Sequence, residues 1–171
     1  MMRHVVSFMA GQAFVCMTMV ASSYGGSVST TLPVHVTVAP QCSVSTNGME
    51  FGVFHRESVT GKGSIDIACH RGIDYHVTLG AGAHYEPGTH TRHMEGSSPR
   101  HKLSYRLYQD VAHFIEWGDR GYANTFPEGV SIRGTGTNQK QSLVIYGQIP
   151  ASNGQLPAGS YSDTVLVTLH F

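Results

Sequence analysis

The chain has little charge and no excess of either sign. Lys and Arg together number 11, Asp and Glu together number 11, and charged residues make up 13% of the 171 residues. Without a basic or acidic surplus, the sequence predicts no nucleic-acid binding and no attachment to an anionic membrane surface. It also has no long stretch rich in Ala, Glu, Leu and Lys, whereas glycine is abundant at 20 residues. This composition favours strands and turns over helices.

Motifs of catalysis and cofactor binding are missing as well. The chain has no G-x-S-x-G nucleophile elbow and no phosphate-binding G-x-x-x-x-G-K-[ST] loop. Asp110 and Asp119 each follow an aromatic-rich segment and could form a carboxylate pair, but carboxylates that accept backbone hydrogen bonds in turns are far more common. We therefore predict that the protein is not an enzyme and uses no cofactor.

Histidine is the one titratable residue in unusual supply. The chain has 11 histidines, and His84, His90, His93 and His101 crowd a single predicted loop. Imidazole is a common metal ligand, but H-x-x-H on a loop lacks the i, i+4 helical geometry of zinc proteases, and no cysteine is nearby. No metal site is predicted, and the four side chains are expected to be solvated loop histidines.

The first two dozen residues differ from the rest of the chain. A charged start at residues 1–4 precedes an apolar run over residues 5–21. This arrangement is typical of a secretory signal peptide, and the run is a few residues short of the roughly 20 needed to span a bilayer. We predict a signal peptide over residues 1–23, discarded together with Cys16. The mature chain is expected to have no membrane span.

Cysteine is scarce, and the predicted mature chain keeps two cysteines, Cys42 and Cys69. Thiols in an oxidising compartment are normally paired, so a disulfide between them is expected. Two buried free thiols are the alternative.

Apolar and polar residues alternate repeatedly along the mature chain, which is the signature of strands with one face on a core. The clearest runs are Val34, Val36, Val38; Ile65, Ile67, Cys69; Tyr75, Val77, Leu79; Leu103, Tyr105, Leu107; Leu143, Ile145; and Tyr161, Asp163, Val165, Val167, Leu169, Phe171. Six or seven short strands of this kind predict an all-β sandwich.

Clusters of turn-forming residues separate these runs. They lie at residues 46–48, 61–63, 80–82, 95–99, 134–138 and 151–154. Residues 82–101 have no strand pattern and are predicted to form an extended hairpin loop. A helical turn within residues 112–124 stays open, because Val111, Phe114 and Ile115 are spaced for one.

Two alternating segments near the ends of the chain admit two interpretations each. Leu32, Val34, Val36 and Val38 precede the first cysteine, and they form either the first strand of this domain or an arm that completes a neighbour's sheet. Residues 159–171 form either a last strand paired in its own sheet or a strand whose far edge is open to another chain. Pro33 cannot donate a ladder hydrogen bond, which weakens the register at Leu32.

Short motifs follow one another in a fixed order through the mature chain. They are Cys42 with Val44, Phe51-Gly52-Val53-Phe54, Gly63-x-Ile65-x-Ile67-x-Cys69, Tyr75-x-Val77-x-Leu79, Arg92-x-Met94, Leu103-x-Tyr105-x-Leu107-Tyr108-x-Asp110, Trp117-Gly118-Asp119, Tyr146-Gly147-x-Ile149-Pro150, and Gly159-x-Tyr161-x-Asp163-Thr164-Val165-x-Val167-Thr168-x-x-Phe171. In this order they resemble the spore coat U domain family, which includes the pilin subunits of archaic chaperone-usher pili. The Gly-x-Tyr-x-Asp motif near the C-terminus carries most of this resemblance.

The resemblance implies an immunoglobulin-like β-sandwich that lacks its last strand. A periplasmic chaperone would lend that strand, and an outer-membrane usher would let the arm of the next subunit replace it. Residues 24–38 would be the donor arm and residues 39–171 the pilin domain. The implied donor residues are Leu32, Val34, Val36 and Val38, and the implied acceptor groove and chaperone-binding strand comprise Tyr161, Val165, Val167, Leu169 and Phe171.

The function implied by the resemblance is that of a structural fimbrial subunit. It would pass through the periplasm to the cell surface, join neighbouring pilin subunits in a homo- or hetero-polymer, and support adhesion or biofilm formation. A shaft or minor subunit is predicted, because a tip adhesin would normally add a receptor-binding domain. Two alternatives stay open: a spore or surface coat protein of the same fold, and a secreted binding domain that uses the histidine loop.

Overall fold

The computed structural model describes residues 25–152 and 154–171, so the predicted signal peptide and Cys16 lie outside the described residues. Eight strands are assigned in this part: β1 Cys42–Glu50, β2 Val59–Cys69, β3 Asp74–Leu79, β4 Arg92–Glu95, β5 Lys102–Tyr108, β6 Ile132–Thr135, β7 Lys140–Ile149 and β8 Val167–His170. Across these two described stretches, no helix has the length and apolar character that crossing a bilayer requires.

The strands form two antiparallel sheets. One sheet has five strands in the order β1-β2-β7-β5-β4, and the other has three in the order β6-β3-β8. The all-β architecture predicted from the alternation is therefore confirmed.

The core lies where the alternating faces of the two sheets meet. Ile65 and Ile67 of β2 and Val77 and Leu79 of β3 are fully or almost fully buried. Because side chains on a strand point to opposite faces in turn, each pair places two aliphatic groups on the inner face. The fully buried Trp117 adds the largest side chain to this core, and its indole N–H donates to the Val77 carbonyl at 2.9 Å.

The Trp117-Gly118-Asp119 segment crosses over the end of β3 and is held by its own acidic side chain. Asp119 is buried and accepts hydrogen bonds from the backbone N–H of Thr125 at 2.8 Å and of Phe126 at 2.6 Å. The backbone N–H of Leu79 in turn donates to the Gly118 carbonyl at 3.2 Å. Asp119 is therefore a turn carboxylate, as the more common interpretation of the sequence expects.

Arg92 of β4 binds the end of β3 and the Trp117 segment through its side chain. Its guanidinium is fully buried, donates to the carbonyls of Leu79, Gly80 and Trp117 at 2.8 to 3.1 Å, and stacks 3.7 Å from the centre of the Phe126 ring. Burial lowers the pKa of Arg92 to about 10, so the group stays charged at neutral pH. Nε and Nη2 of one side chain thus donate to three carbonyls, whereas Nη1 is buried without a hydrogen-bond partner.

Cys42 and Cys69 form the expected disulfide, with their Cα atoms 4.1 Å apart. The two residues are also direct partners in the β1–β2 ladder. The bond closes a sequence separation of 27 residues, for which chain-entropy models give roughly 3 to 4 kcal/mol of stabilisation.

The predicted turns at residues 46–48 and 61–63 are wrong, because both lie in strands, whereas the turn at 134–138 is confirmed in part, since residues 136–138 connect β6 to β7. Gly61 and Gly63 belong to β2, where an added Cβ would collide with the backbone carbonyls of Glu50 and Gly48. Residues 46–48 belong to β1, whose register shifts between Thr46 and Met49. Residues 134–138 overlap the end of β6. Gly61 and Gly63 allow the backbones of β1 and β2 to approach closely rather than reversing the chain.

The predicted hairpin loop over residues 82–101 is also corrected, because it contains β4. This strand pairs with β5 from Arg92 to Glu95. Its first two residues, Arg92 and His93, are polar but buried, and so it lacks the apolar alternation on which the prediction relied. Nε and Nη2 of Arg92 donate to backbone carbonyls, and buried polar groups in proteins are generally hydrogen-bonded in this way.

The unbroken last strand predicted over residues 161–171 is split. Ser162 exchanges two backbone hydrogen bonds with Glu95 of β4, at 2.9 and 3.1 Å, whereas residues 167–170 pair with β3 in the other sheet. The segment therefore crosses from one sheet to the other, and the regular strand is confined to Val167–His170. Apolar alternation cannot reveal such a change of partner, because it continues through the crossing.

Two further segments differ from the simplest interpretation of the sequence. Residues 25–41 contain no strand, although Val34, Val36 and Val38 alternate. Residues 112–124 contain no helix. They include a turn in which the Asp110 carboxylate accepts the backbone N–H groups of Phe114 and Ile115, and these bonds lower the pKa of Asp110.

Candidate strand-binding groove

An open groove runs between the edge of one sheet and the edge of the other. β1 is an edge strand of the five-stranded sheet, and β8 is an edge strand of the three-stranded sheet. The groove between them encloses about 280 Å³. Its lining comprises Thr46, Gly48, Met49, Phe51, Leu79, Met94, Tyr105, Leu107, Ile145, Tyr161, Ser162, Asp163, Val165 and Val167.

The floor of the groove is the hydrophobic core itself. Leu79, Met94, Leu107 and Ile145 belong to the buried core cluster, yet they line this open cavity. They come from both sheets, as expected at a side of a sandwich where the two inner faces are not closed by a further strand. The groove therefore offers an elongated apolar site flanked by two strand edges.

The wall on the β1 side depends on the irregularity in that strand. Gly48 has a φ of +70°, which favours glycine, at the point where the register shifts toward Met49. Met49 and Phe51 then pack over Gly147 of β7, where an added Cβ would lie 2.6 Å from the Phe51 ring and closer still to the Met49 sulfur. The missing side chain at Gly147 lets these two residues form the wall.

One end of the groove is polar and fully hydrogen-bonded. The Tyr105 hydroxyl donates to Asp163 Oδ2 at 2.6 Å, and the backbone N–H of His84 donates to Asp163 Oδ1 at 3.2 Å. The His84 ring lies close, with Nδ1 3.0 Å from Asp163 Oδ1 and Nε2 3.8 Å from Glu95. These contacts fix Asp163 where the C-terminal segment passes from β4 to β3.

Burial, together with the hydrogen bond to Asp163, raises the pKa of Tyr105. A tyrosine whose pKa rises on folding contributes stability below its ordinary pKa near 10, and this contribution is lost as the pH climbs above that value. We expect Tyr105→Phe to lower the free energy of unfolding by about 1.5 to 3 kcal/mol at pH 8, because a hydrogen bond to a charged group is lost. The variant should also lose less stability than the wild type between about pH 9 and pH 11.

Urea titrations of both proteins across that pH range measure this effect. Tyr122→Phe, away from the groove, is the matched control and should keep the wild-type alkaline profile. Equal alkaline slopes for the wild type and Tyr105→Phe would show that the buried hydroxyl does not hold Asp163 in place.

The structure brings only some of the predicted site residues together. Tyr161, Val165 and Val167 line the groove. Leu169 packs against the core beyond it, and Phe171 is 60% exposed and outside the lining. The four predicted donor residues are all exposed, with Val34 at 83% and Val36 at 87%.

Sequence reasoning missed the opposite wall and the floor. Phe51 belongs to the Phe51-Gly52-Val53-Phe54 motif, which was recognised but given no role, and Met49 lies two residues before it. Their place in the groove wall could not be predicted without knowing that β1 and β8 are edge strands of different sheets. Met94 and Tyr105 needed the strand order as well, which alternation does not give.

The prediction of four solvated loop histidines is wrong for His93, which is buried in β4, and three of the four histidines face carboxylates. His90 Nδ1 lies 2.6 Å from Glu128, His93 Nε2 lies 3.7 Å from Glu86, and His84 faces Asp163. Within residues 25–152 and 154–171, no group of three or more potential ligands is arranged to hold a metal ion.

Comparison with known proteins identifies the family. Residues 28–168 match the model of the Spore Coat Protein U domain. The chain belongs to this family. A curated relative, Protein U of Myxococcus xanthus, is 32% identical over 115 residues, which is 65% of this chain and 60% of that protein. The match therefore spans less than two thirds of the relative's length.

A solved structure shares the fold of this spore coat U domain. It is a chain from the CsuC–CsuE chaperone–tip adhesion subunit pre-assembly complex of the archaic chaperone-usher Csu pili of Acinetobacter baumannii. The two chains are 23% identical and align with a TM-score of 0.57, over 79% of this chain and 40% of that one. At this identity the likeness establishes the fold.

Proposed function

We propose that the chain is a structural subunit of a chaperone-usher pilus, in which the arm over residues 24–38 of one copy fills the groove of a neighbouring subunit. The observation that carries this proposal is the apolar groove flanked by the edge strands β1 and β8. Edge strands next to exposed core are a template for pairing with another chain, and stable proteins cover them.

An added strand fits the chemistry of both sides of the groove. Its backbone would hydrogen-bond to the free edges of β1 and β8, and every second side chain would enter the apolar floor. Leu32, Val34, Val36 and Val38 lie on one face of an extended segment and are exposed in the single chain. The arm thus has the alternation that the groove requires.

The burial energy is large enough to hold subunits together. Each aliphatic side chain moved from water into the groove contributes about 1.5 to 3 kcal/mol. The four arm residues together would contribute roughly 6 to 12 kcal/mol before the entropic costs of ordering and association.

The proposal extends to partners and location. An open apolar groove with free strand edges would promote aggregation of a free subunit, so a periplasmic chaperone would lend a strand and an outer-membrane usher would exchange it for the next arm. The structure that shares this fold comes from a chaperone–subunit pre-assembly complex, which supports the chaperone as a partner. The assembled fibre would lie at the cell surface and support adhesion or biofilm formation.

A coat protein of the same fold is the second candidate, and the match to the Spore Coat Protein U domain supports it. It differs in its route to the surface. A coat subunit would accumulate outside the cell without a dedicated chaperone and usher, whereas the pilus subunit would be lost when either is deleted.

Deleting residues 24–38 tests the strand-exchange proposal. The shortened chain keeps its groove but has no arm, so it should form no SDS-resistant oligomers by itself. Added to the full chain, it should accept one arm and cap the polymer, so that mean length falls as its share rises. Continued polymerisation of the shortened chain alone would contradict the proposal.

A further inference from the structure

The disulfide lies at the junction where the arm enters the domain. Cys42 is the first residue of β1, Cys69 is the last residue of β2, and the two face each other in the ladder. The backbone N–H of His70 also donates to the carbonyl of Gln41 at 3.1 Å. The chain is therefore fixed to the end of β2 at the point where β1 begins.

A third element packs against this junction. The backbone N–H of Asn138 donates to the Cys69 carbonyl at 3.0 Å, and its side-chain oxygen accepts the N–H of Arg71 at 2.7 Å. Gly136 lies so close that an added Cβ would be 2.7 Å from the Cys69 Cβ. Since residues 136–139 join β6 to β7, the junction contacts the connection between the two sheets.

The position of β1 makes this junction mechanically important. In a polymer held by exchanged arms, tension enters each subunit at Gln41 and reaches β1 first. β1 is an edge strand with β2 as its sheet neighbour, so hydrogen bonds on that side resist its removal. Losing β1 would also remove Met49 and the adjacent Phe51 from the groove wall, which would weaken binding of the neighbour's arm.

We propose that the Cys42–Cys69 disulfide is a mechanical anchor that passes tension from the arm directly to β2. This inference rests on the proposed function for the source of the tension. β2 lies between β1 and β7 and contributes the buried Ile65 and Ile67. Tension delivered there must separate an interior strand from both of its neighbours, whereas tension on β1 alone need only detach an edge.

Single-molecule pulling on the full chain tests the anchor. One handle is placed before Gly25 and the other is inserted after Gln155, in the exposed segment that follows β7. After reduction of the folded protein, we expect an early step in which the nine residues of β1 detach, at a force below the first rupture of the oxidised protein. The oxidised protein should lack this step.

A second handle pair provides the control. Handles inserted after Ser97 and after Gln155 leave β1 out of the path of the applied force, so reduction should not change the first rupture force. A Cys42→Ser, Cys69→Ser double variant should behave like the reduced chain, while reduction after folding avoids any defect in its folding.

Two results would overturn the anchor: no early step in the reduced chain pulled from its N-terminal side, or an equal loss of force with both handle pairs. The second result would mean that the disulfide affects overall stability alone. Because the measurement uses single chains, an early step together with failed polymerisation would support the anchor and reject the proposed function.

Discussion

Replacing Val36 with Asp is expected to abolish assembly while leaving the domain folded. On the proposed function this side chain leaves water and enters the groove floor of a neighbouring subunit. The substitution removes about 1.5 to 3 kcal/mol of apolar burial and adds the several kcal/mol needed to dehydrate a carboxylate. Affinity of the arm for the groove should fall at least about 100-fold, because each 1.4 kcal/mol is a factor of ten.

The adjacent residue provides a matched control for Val36→Asp. His35 lies on the opposite face of an extended arm, so His35→Asp adds the same carboxylate one position away and should leave assembly nearly unchanged. The measurement is the fraction of each purified variant in SDS-resistant oligomers. Equal assembly of Val36→Asp and wild type, or equal loss in both variants, would contradict an arm that inserts with Val36 inward.

Replacing Arg92 with Met is expected to cause a large loss of stability. Methionine fills much of the same space but leaves the carbonyls of Leu79, Gly80 and Trp117 buried without their donor. Each unsatisfied buried group costs about 1 to 3 kcal/mol, so the free energy of unfolding should fall by about 3 to 5 kcal/mol. This is a large part of the 5 to 15 kcal/mol that stabilises a typical domain.

Arg106→Met separates this effect from the loss of a positive charge. Arg106 lies on the neighbouring strand β5, is about half exposed, and pairs with Glu116 at 3.2 Å. Exposed ion pairs contribute about 0.2 to 1 kcal/mol, so its replacement should be mild. Chemical denaturation of both variants measures the difference. If Arg92→Met lost no more stability than Arg106→Met, the hydrogen bonds of Arg92 would not brace the end of β3.

The alternation of apolar and polar residues correctly predicted the strands whose buried face is entirely apolar. Ile65 and Ile67 of β2 and Val77 and Leu79 of β3 follow this rule. It failed for β4, where the buried face carries Arg92, because carbonyls from other parts of the fold accept hydrogen bonds from Nε and Nη2 of its guanidinium. It also failed in the glycine-rich part of β2, where Gly61 and Gly63 serve close packing against β1.

The groove could be predicted only in part for a related reason. Val165 and Val167 continue a visible alternation, and so they marked one wall. The other wall at Met49 and the hydrogen bonds of Asp163 depend on which strands become neighbours, which local pattern does not encode. The alternation in the arm is likewise not accompanied by a strand, since a strand needs a partner to complete its hydrogen bonds.

Hydrogen exchange on the groove edges shows directly whether the arm binds as a strand between β1 and β8. A synthetic peptide of residues 27–38 is added to the chain that lacks residues 24–38. Strand N–H groups point alternately to either side, so about half the β8 amides should gain protection on the side facing away from β3. Amides of β1 that face the groove should gain it as well, while the outer edges at β6 and β4 stay unchanged. Peptide binding that leaves β8 unprotected, or that protects β6 instead, would contradict insertion of the arm between β1 and β8.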